Sequence, residues 1–251
     1  MKTIQTEFSN RGGHTLRGIV TLADGGGPFA ALVNLHGFGS NRTGARSMHA
    51  AMARALAAAG VACVRFDFYG NAESDGSFED MTYTGLLEDA QDICAWTKRQ
   101  PWADPARVIL SGQSMGGFVA ASAAPRAQPA GLVLMCPGAA MWYGCAERSR
   151  QLEASGAPFG DVGGLKLAHA FNYDLGAYPD PYAQAAGYGG PVLLLRGTED
   201  KLVDDAACEK YMAVYGKAAQ FVRVPGGDHD FSGMGPRAAY IEAVCSFAQN
   251  I

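Results

Sequence analysis

The sequence predicts an α/β fold, with a mostly parallel central sheet flanked by helices and an inserted cap. Two observations lead to this prediction. Short apolar runs, typical of strands buried on both faces, alternate along the chain with segments of helical periodicity. The alternation is interrupted once, by residues 138–190, which lack a clear strand–helix unit. A chain of 251 residues, 48% of them hydrophobic, is long enough to build one large domain around such a sheet.

Eight segments are predicted to form the sheet. The first two, residues 4–8 and 15–22, flank a turn at residues 11–13 and are expected to pair as an antiparallel hairpin. The other six are continuous apolar runs, as expected for parallel strands. They are residues 30–37, 61–68, 107–112, 131–137, 191–197 and 220–226.

Amphipathic segments between these runs are predicted to form the covering helices. In residues 82–99, the apolar side chains of Leu86, Ala90 and Ile93 recur on one helical face. Residues 236–248 show the same spacing. Helices on both faces of the sheet would bury its apolar strands.

The segment 138–190 lies between two predicted core strands and is too long for an ordinary connection. It is rich in aromatic residues, which normally need burial or a ligand. They include Trp142, Tyr143, Phe159, Phe171, Tyr173, Tyr178 and Tyr182. We therefore predict a small cap over the edge of the sheet, and a core made of residues 1–137 and 191–251.

The charge distribution argues against nucleic acid as a partner. The chain carries 20 Lys and Arg against 24 Asp and Glu, a formal net charge of -4, and has no long basic run. No apolar stretch reaches the roughly 18 residues of a membrane helix. Arg54, for example, interrupts the Ala-rich segment 50–59. We expect neither nucleic acid nor a membrane as partner.

The cysteine pattern favours a reducing compartment. The six cysteines form no Cys-x-x-Cys pair and no Cys/His spacing of a metal site. The first ten residues contain no apolar run like that of a secretory signal. We therefore expect a cytoplasmic protein without a metal, although the even number of cysteines leaves a disulfide open.

The strongest local motif is Gly112-Gln113-Ser114-Met115-Gly116. It follows the predicted strand RVIL and precedes the predicted helix FVAASAA. A strand–turn–helix of this kind lifts a serine hydroxyl out of a sharp turn, where small flanking residues avoid a clash. Ser114 is therefore our candidate nucleophile.

A serine hydroxyl needs a base to take its proton. His229 lies in GGDHDF, directly after the last predicted strand, and the ligands of a parallel sheet meet at this edge. We choose His229 as the base. His36, at the end of a core strand, is expected to brace its loop instead.

The base in turn needs a carboxylate to orient it. Asp200 and Glu199 both follow the predicted strand PVLLL at the same edge, and we choose Asp200. Asp204 lies nearby but fits better as the N-cap of the next helix.

Two backbone N–H groups are expected to hold the oxyanion of a tetrahedral intermediate. One belongs to Met115, the residue after the candidate nucleophile. The other is expected in the turn His36-Gly37-Phe38-Gly39, where glycines let the backbone approach a substrate, and we assign it to Phe38.

At this point the sequence resembles the α/β-hydrolase family, and within it the cinnamoyl/feruloyl esterase branch. The segments that carry the resemblance are HGFGSNRT (36–43), FDFYGNAESDGSFEDMT (66–82), GQSMGG (112–117), RGTEDKLV (196–203) and GGDHDF (226–231). The family's nucleophile, acid and base correspond to Ser114, Asp200 and His229, in the family's chain order. Its oxyanion donors correspond to Phe38 and Met115. The resemblance also implies a cap inserted after the sixth strand, where residues 138–190 lie.

The chain departs from that branch at three positions. Gln113 and Met115 stand where His and Gln are common. A methionine directly after the nucleophile resembles the pattern of acylglycerol lipases. Ala72 stands where a second glycine is usual in the loop that begins at Asp67. The segment 138–190 matches the branch least.

Residues and resemblance together predict a cofactor-free serine carboxylesterase acting on a small-molecule ester. The expected substrates are cinnamoyl or feruloyl esters, or other aromatic or short-chain esters. Three alternatives remain open: a monoacylglycerol or general lipase-like hydrolase, a perhydrolase or C–C bond hydrolase with the same residues, and a non-catalytic binding protein. Neither the substrate-binding residues nor the oligomeric state is indicated by the sequence.

Overall fold

A computed structural model describes the whole chain, residues 1–251, as ten strands and nine α-helices. The strands are β1 (Lys2–Ser9), β2 (Thr15–Leu22), β3 (Phe29–Leu35), β4 (Ala62–Phe66), β5 (Ala103–Gln113), β6 (Gly131–Met135), β7 (Phe159–Val162), β8 (Leu165–Ala168), β9 (Val192–Gly197) and β10 (Ala219–Val224). The helices are α1 (Met48–Ala58), α2 (Tyr83–Lys98), α3 (Met115–Ala127), α4 (Ala140–Tyr143), α5 (Cys145–Ser155), α6 (His169–Gly176), α7 (Pro181–Ala185), α8 (Asp205–Tyr215) and α9 (Met234–Gln249).

Eight strands form one sheet in the order β1-β2-β4-β3-β5-β6-β9-β10. The first two pairings, β1 with β2 and β2 with β4, are antiparallel, and all the others are parallel. This confirms the predicted fold class, including the antiparallel hairpin at the start of the chain. The carboxyl ends of β3, β5, β6 and β9 consequently lie at one edge of the sheet.

The central strands are buried because helices cover them. Every residue of β6 is buried, as is every residue of β4. Helix α1 packs against α9, and α2 packs against α3. The continuous apolar runs of the sequence reflect this burial on both faces, since an exposed face would alternate with polar residues.

The helix starts follow their capping residues. The Thr82 hydroxyl accepts a hydrogen bond from Gly85 N at 3.0 Å and begins α2. The Asp204 carboxylate accepts one from Ala207 N at 2.8 Å and begins α8, which confirms its predicted role as an N-cap.

Some strand bounds differ from the predicted ones. β5 begins at Ala103 rather than at residue 107, because Ala103 pairs with Phe29 across a shift in register. β6 ends at Met135 rather than at residue 137, because Cys136 has a φ of 45° and leaves the extended conformation.

Residues 138–190, which we call the insertion, contain more regular structure than the sequence indicated. They hold the short helices α4 to α7 and the antiparallel hairpin β7–β8. The elements are short and pack on the rest of the molecule, α6 against α2 and α7 against α3, so their periodicity is weak. Some of their aromatic residues serve this packing. Phe171 is fully buried and Trp142 Nε1 donates to the Tyr178 carbonyl at 2.9 Å, whereas Tyr143 and Tyr173 are about half exposed.

All six cysteines are free thiols, five of them buried and Cys245 partly buried. None of the helices combines the length and the apolar character that crossing a bilayer requires.

Candidate active site

Ser114 occupies a strained turn between β5 and α3. Its φ of 56° and ψ of -120° are rare for a residue with a side chain. Ser114 N donates to the Met135 carbonyl at 2.9 Å, and Gly138 N donates to the Ser114 carbonyl at 2.9 Å. The turn is therefore held by the backbone that follows the neighbouring strand, β6.

Glycine is required on both sides of this turn. A Cβ atom at Gly112 would lie 2.1 Å from the Gly116 carbonyl oxygen. A Cβ atom at Gly116 would lie 2.3 Å from the Leu35 carbonyl oxygen. Both obstacles are backbone atoms, so neither can rotate away, and the two glycines allow strand and helix to close on Ser114.

His229 and Asp200 form a hydrogen-bonded pair at the same edge of the sheet. His229 Nδ1 lies 2.9 Å from Asp200 Oδ2. The Asp200 side chain has no exposed surface, whereas that of His229 is 18% exposed. Glu199 is exposed to solvent and makes no contact of this kind. Between the two carboxylates considered from the sequence, the geometry therefore favours Asp200.

Hydrogen bonds keep the buried Asp200 ionised. Burial by itself raises the pKa of this carboxyl, but contacts from His229, from the Cys136 thiol and from Val203 N outweigh burial and lower the pKa to about 2. Asp200 Oδ1 accepts from Leu202 N at 2.8 Å and from Val203 N at 3.0 Å. A fixed anion at Nδ1 orients the imidazole and favours the tautomer with a free Nε2.

Ser114 and His229 line one cavity of about 630 Å³. The loop at the end of β3 forms a further part of its wall through Gly37 and Phe38. A Cβ atom at Gly37 would lie 3.4 Å from Ser114 Cβ, so this loop runs directly beside the candidate nucleophile. The cavity brings together residues that are far apart in the sequence.

The N–H groups of Phe38 and Met115 are available to a ligand. Neither donates a hydrogen bond to the protein, and Met115 is the first residue of α3, where N–H groups have no partner within the helix. Met115 directly follows Ser114 in the chain, and Phe38 lines the same cavity as Ser114. A helix N-terminus also favours developing negative charge.

Buried polar residues hold the loop that carries Phe38. His36 Nδ1 lies 2.8 Å from the Gly37 carbonyl, and His36 Nε2 accepts from Phe68 N at 3.2 Å. Burial lowers the pKa of His36 to about 4, so the ring is neutral. Further along the loop, Arg42 forms an ion pair with the fully buried Asp67. His36 therefore braces the loop, as the sequence suggested.

Comparison with known proteins identifies the family. The family model described as "Serine aminopeptidase, S33" matches residues 26–156, which is just over half of the chain. The chain belongs to this family.

A relative covers most of the chain, and solved structures show its fold. An uncharacterized protein of Mycobacterium tuberculosis is 29% identical over 206 residues, which cover 82% of this chain and 64% of the relative. The chain thus spans less than two thirds of that relative's length.

Est1E from Butyrivibrio proteoclasticus, solved with ferulic acid bound, superposes with a TM-score of 0.78 at 22% identity over 98% of this chain and 96% of Est1E. The α/β hydrolase GrgF from a Penicillium species reaches 0.80 at 16% identity, over 100% and 99% of the two chains. The fold of this S33-family chain is therefore the α/β-hydrolase fold.

Three further residues belong to this candidate site through contacts that the sequence patterns did not indicate. Gln113 Nε2 donates to the His229 carbonyl at 3.1 Å. The Cys136 thiol faces the Asp200 carboxylate, and Arg148 lines the cavity. Cys136 directly follows a core strand at the edge that carries Ser114, so its position along the chain was a usable signal. No sequence pattern indicated Arg148.

Cys136, Asp200 and His229 place one donor atom each within 4.8 Å of one another. A metal would need the Cys136 thiolate. Burial, followed by the charge of Asp200, raises the pKa of Cys136 well above its ordinary value and keeps the thiol protonated. Asp200 already accepts hydrogen bonds at both oxygens. The donor set therefore fits a hydrogen-bonded arrangement that orients His229 better than it fits a metal site.

Proposed function

We propose that this chain is a serine carboxylesterase that works through an acyl-enzyme. One observation carries the proposal: Ser114, on a strained turn with a φ of 56°, shares a cavity with His229, whose Nδ1 is paired with the buried Asp200. A serine with an oriented base and free N–H donors is the arrangement that acyl transfer requires.

In the proposed mechanism, Ser114 Oγ bonds to the ester carbonyl carbon while its proton passes to His229 Nε2. The carbonyl oxygen becomes an oxyanion and is held by the N–H groups of Phe38 and Met115. The intermediate collapses, and the alcohol leaves with the proton from His229. Water then gives its proton to His229, attacks the acyl carbon and releases the acid, and the proton returns to Ser114.

The wall of the cavity supports an apolar or aromatic acyl group. Large apolar side chains line it, namely Phe38, Met141, Val162, Leu167 and Leu202. Est1E, which has the same fold, was solved with ferulic acid bound. We therefore propose cinnamoyl, other aromatic or short-chain esters as substrates.

One observation favours a second candidate, a monoacylglycerol or general lipase-like activity. Leu202 lines the cavity and is 69% exposed. An apolar side chain exposed at the rim would contact an acyl chain too long for the cavity itself. A series of acyl esters of increasing length, set against methyl ferulate, separates the two candidates. A steep optimum at long chains without ferulate turnover would replace the first candidate by the second.

The test of the mechanism is Ser114→Ala, with Ser9→Ala, at an exposed position of β1, as its control. We expect kcat on p-nitrophenyl butyrate to fall by roughly 10⁴- to 10⁶-fold in the first variant and to stay unchanged in the control. A fluorophosphonate should label the wild type at Ser114 and leave Ser114→Ala unlabelled. A wild type that is neither labelled nor active would instead support a binding protein on this fold.

A substrate panel tests the reaction class. It should contain p-nitrophenyl esters, methyl ferulate, methyl caffeate, a monoacylglycerol and, because of the family's description, an aminoacyl p-nitroanilide. We expect the esters to be hydrolysed faster than the anilide. Faster hydrolysis of the anilide would make the chain an aminopeptidase.

A further inference from the structure

Arg148, on α5 of the insertion, is a partly buried cation in the wall of the Ser114 cavity. No other Lys or Arg lines this cavity. Its Nε donates to Asn172 Oδ1 at 3.0 Å, and its Nη2 donates to the Met141 carbonyl at 2.5 Å. Both acceptors are neutral groups, so they leave the charge of the guanidinium uncompensated.

No carboxylate forms an ion pair with Arg148. Its neighbour Arg150, on the same helix but exposed, pairs with Glu147 at 2.6 Å. Burial lowers the pKa of Arg148, yet a guanidinium stays protonated in proteins. Partial burial of an unpaired charge is costly, and an anion that bound there would remove the cost.

The position of Arg148 suits an extended substrate. The residue also lines a second cavity of about 410 Å³ within the insertion, together with Val162 and Leu167, which likewise face both cavities. Its Nη1 makes no hydrogen bond with the protein. A molecule reaching from Ser114 towards the insertion would therefore pass Arg148, whose guanidinium keeps N–H groups without a partner in the protein.

The one carboxylate in the wall of the Ser114 cavity does not compete for Arg148. Asp230 follows His229 in the chain and accepts a weak hydrogen bond from Gln113 Nε2 at 3.4 Å. Its nearest cation is Arg46, with an N–O distance of 3.9 Å. The cavity thus carries an anion held beside His229 and a cation held by neutral groups on the insertion.

We propose that Arg148 binds an ionised carboxylate on the substrate, so that the site prefers esters with a second, free carboxylate group. The inference rests on the proposed function, because it names the substrate class of that site. Two N–H groups on one planar guanidinium match the two oxygens of a carboxylate, which explains an arginine at this position.

The experiment compares kcat/KM for charged and neutral esters of matched size. One arm places the carboxylate on the acyl side, with p-nitrophenyl hemisuccinate, hemiglutarate and hemiadipate against the butyrate, valerate and hexanoate. The other arm places it on the alcohol side, with 4-acetoxybenzoate against 4-methylphenyl acetate. In the arm that matches the natural substrate, we expect the charged-to-neutral ratio to fall by roughly 10- to 100-fold in Arg148→Met.

Two further variants separate recognition from a structural role. Arg148→Lys keeps the charge without the planar fork, so its ratio should lie between those of the wild type and Arg148→Met. Arg150→Met removes a cation from the same helix and should leave the ratio unchanged. If Arg148→Met only damaged the insertion, kcat/KM for the charged and the neutral ester would fall together, and their ratio would stay that of the wild type. An unchanged ratio in both arms would overturn the proposal, as would a wild type that prefers the neutral ester throughout.

A binding measurement keeps the inference distinct from the proposed function. If no ester is turned over, the proposed function fails. The carboxylate site can still be tested by measuring the binding of adipate to the Ser114→Ala protein by titration calorimetry. Adipate that binds to Ser114→Ala but not to the double variant Ser114→Ala/Arg148→Met supports the carboxylate site. Equal binding in the two proteins, or none in Ser114→Ala, overturns it.

Discussion

The side-chain amide of Gln113 donates a hydrogen bond to the backbone carbonyl of His229 at 3.1 Å. The residue before the candidate nucleophile therefore holds the loop that carries the candidate base. Gln113 is the last residue of β5, and its side chain is almost fully buried. The positions of Ser114 and His229 are thus coupled by a contact that spans more than a hundred residues of sequence.

Replacement of Gln113 by Leu should lower catalysis more than stability. The variant keeps a similar volume but loses the donor, so His229 is held less firmly relative to Ser114. We expect kcat on p-nitrophenyl butyrate to fall by roughly tenfold. Gln5→Leu, at an exposed position of β1, is the control and should retain full activity. A Gln113→Leu enzyme with wild-type kcat would show that the tether does not position His229.

Asp200 should stabilise the fold in a pH-dependent way. Its pKa is lowered to about 2 from an ordinary 3.8. A carboxyl with a lowered pKa contributes stability above its unfolded pKa and loses it as the pH falls through the folded pKa. We compare the free energy of unfolding of the wild type with that of Asp200→Asn. The advantage of the wild type should be larger at pH 5 than at pH 2, by on the order of 2 kcal/mol.

Urea unfolding of both proteins at pH 5, 4, 3 and 2 measures this difference. It should be constant down to about pH 4 and then shrink towards pH 2. If the difference instead stays constant to pH 2, the carboxyl of Asp200 is not held ionised by its contacts. Asp104→Asn, at a partly exposed position whose carboxylate only accepts from Ala106 N, serves as the matched control.

The turn at Ser114 should not tolerate a side chain at Gly116. A Cβ atom there would lie 2.3 Å from the Leu35 carbonyl oxygen and 2.6 Å from that of His36. We expect Gly116→Ala to lose roughly 3 kcal/mol or more of stability, or to distort the turn and abolish activity. Thermal unfolding and p-nitrophenyl butyrate turnover report these two effects.

The control for this prediction is Gly235→Ala, in the first turn of α9. A Cβ atom at Gly235 has nothing within 4 Å. Since Ala favours a helix over Gly by up to about 1 kcal/mol, this variant should be neutral or slightly more stable. Equal tolerance of alanine at both positions would contradict the close packing of the turn.

The ion pair between Arg42 and Asp67 should contribute strongly to stability. The Asp67 side chain has no exposed surface, and it also accepts from Arg42 N at 2.7 Å. Arg42→Met leaves a buried carboxylate without its cation, which should cost about 3 kcal/mol in urea unfolding. The double variant with Asp67→Asn should recover part of that loss, because no unpaired charge remains.

Arg150→Met provides the exposed counterpart of Arg42→Met. Its partner Glu147 is more than half exposed, and such surface pairs contribute about 0–1 kcal/mol. A loss of similar size in the two variants would mean that Arg42 and Asp67 behave as a surface pair. Turnover of methyl ferulate should also fall in Arg42→Met, because Arg42 lies four residues after Phe38 and its ion pair with Asp67 holds the same loop.

Much of the site was predictable because each of its parts follows a core strand. Ser114 and His229 stand in short glycine-containing motifs directly after apolar runs, and Asp204 was recognised as a cap from its place before a helix. The choice between Asp200 and Glu199 depended on which of two adjacent carboxylates turns inward. A linear pattern does not contain that direction, whereas burial shows it at once.

The insertion marks the limit of sequence patterns here. Its helices and hairpin are short, and they owe their stability to packing on α2 and α3 rather than to their own periodicity. Local patterns along the chain are sufficient to predict the order of the core elements and the strand–turn–helix at Ser114. The tether from Gln113, the thiol of Cys136 and the unpaired Arg148 are visible only in three dimensions, because each depends on a contact between residues brought together by folding.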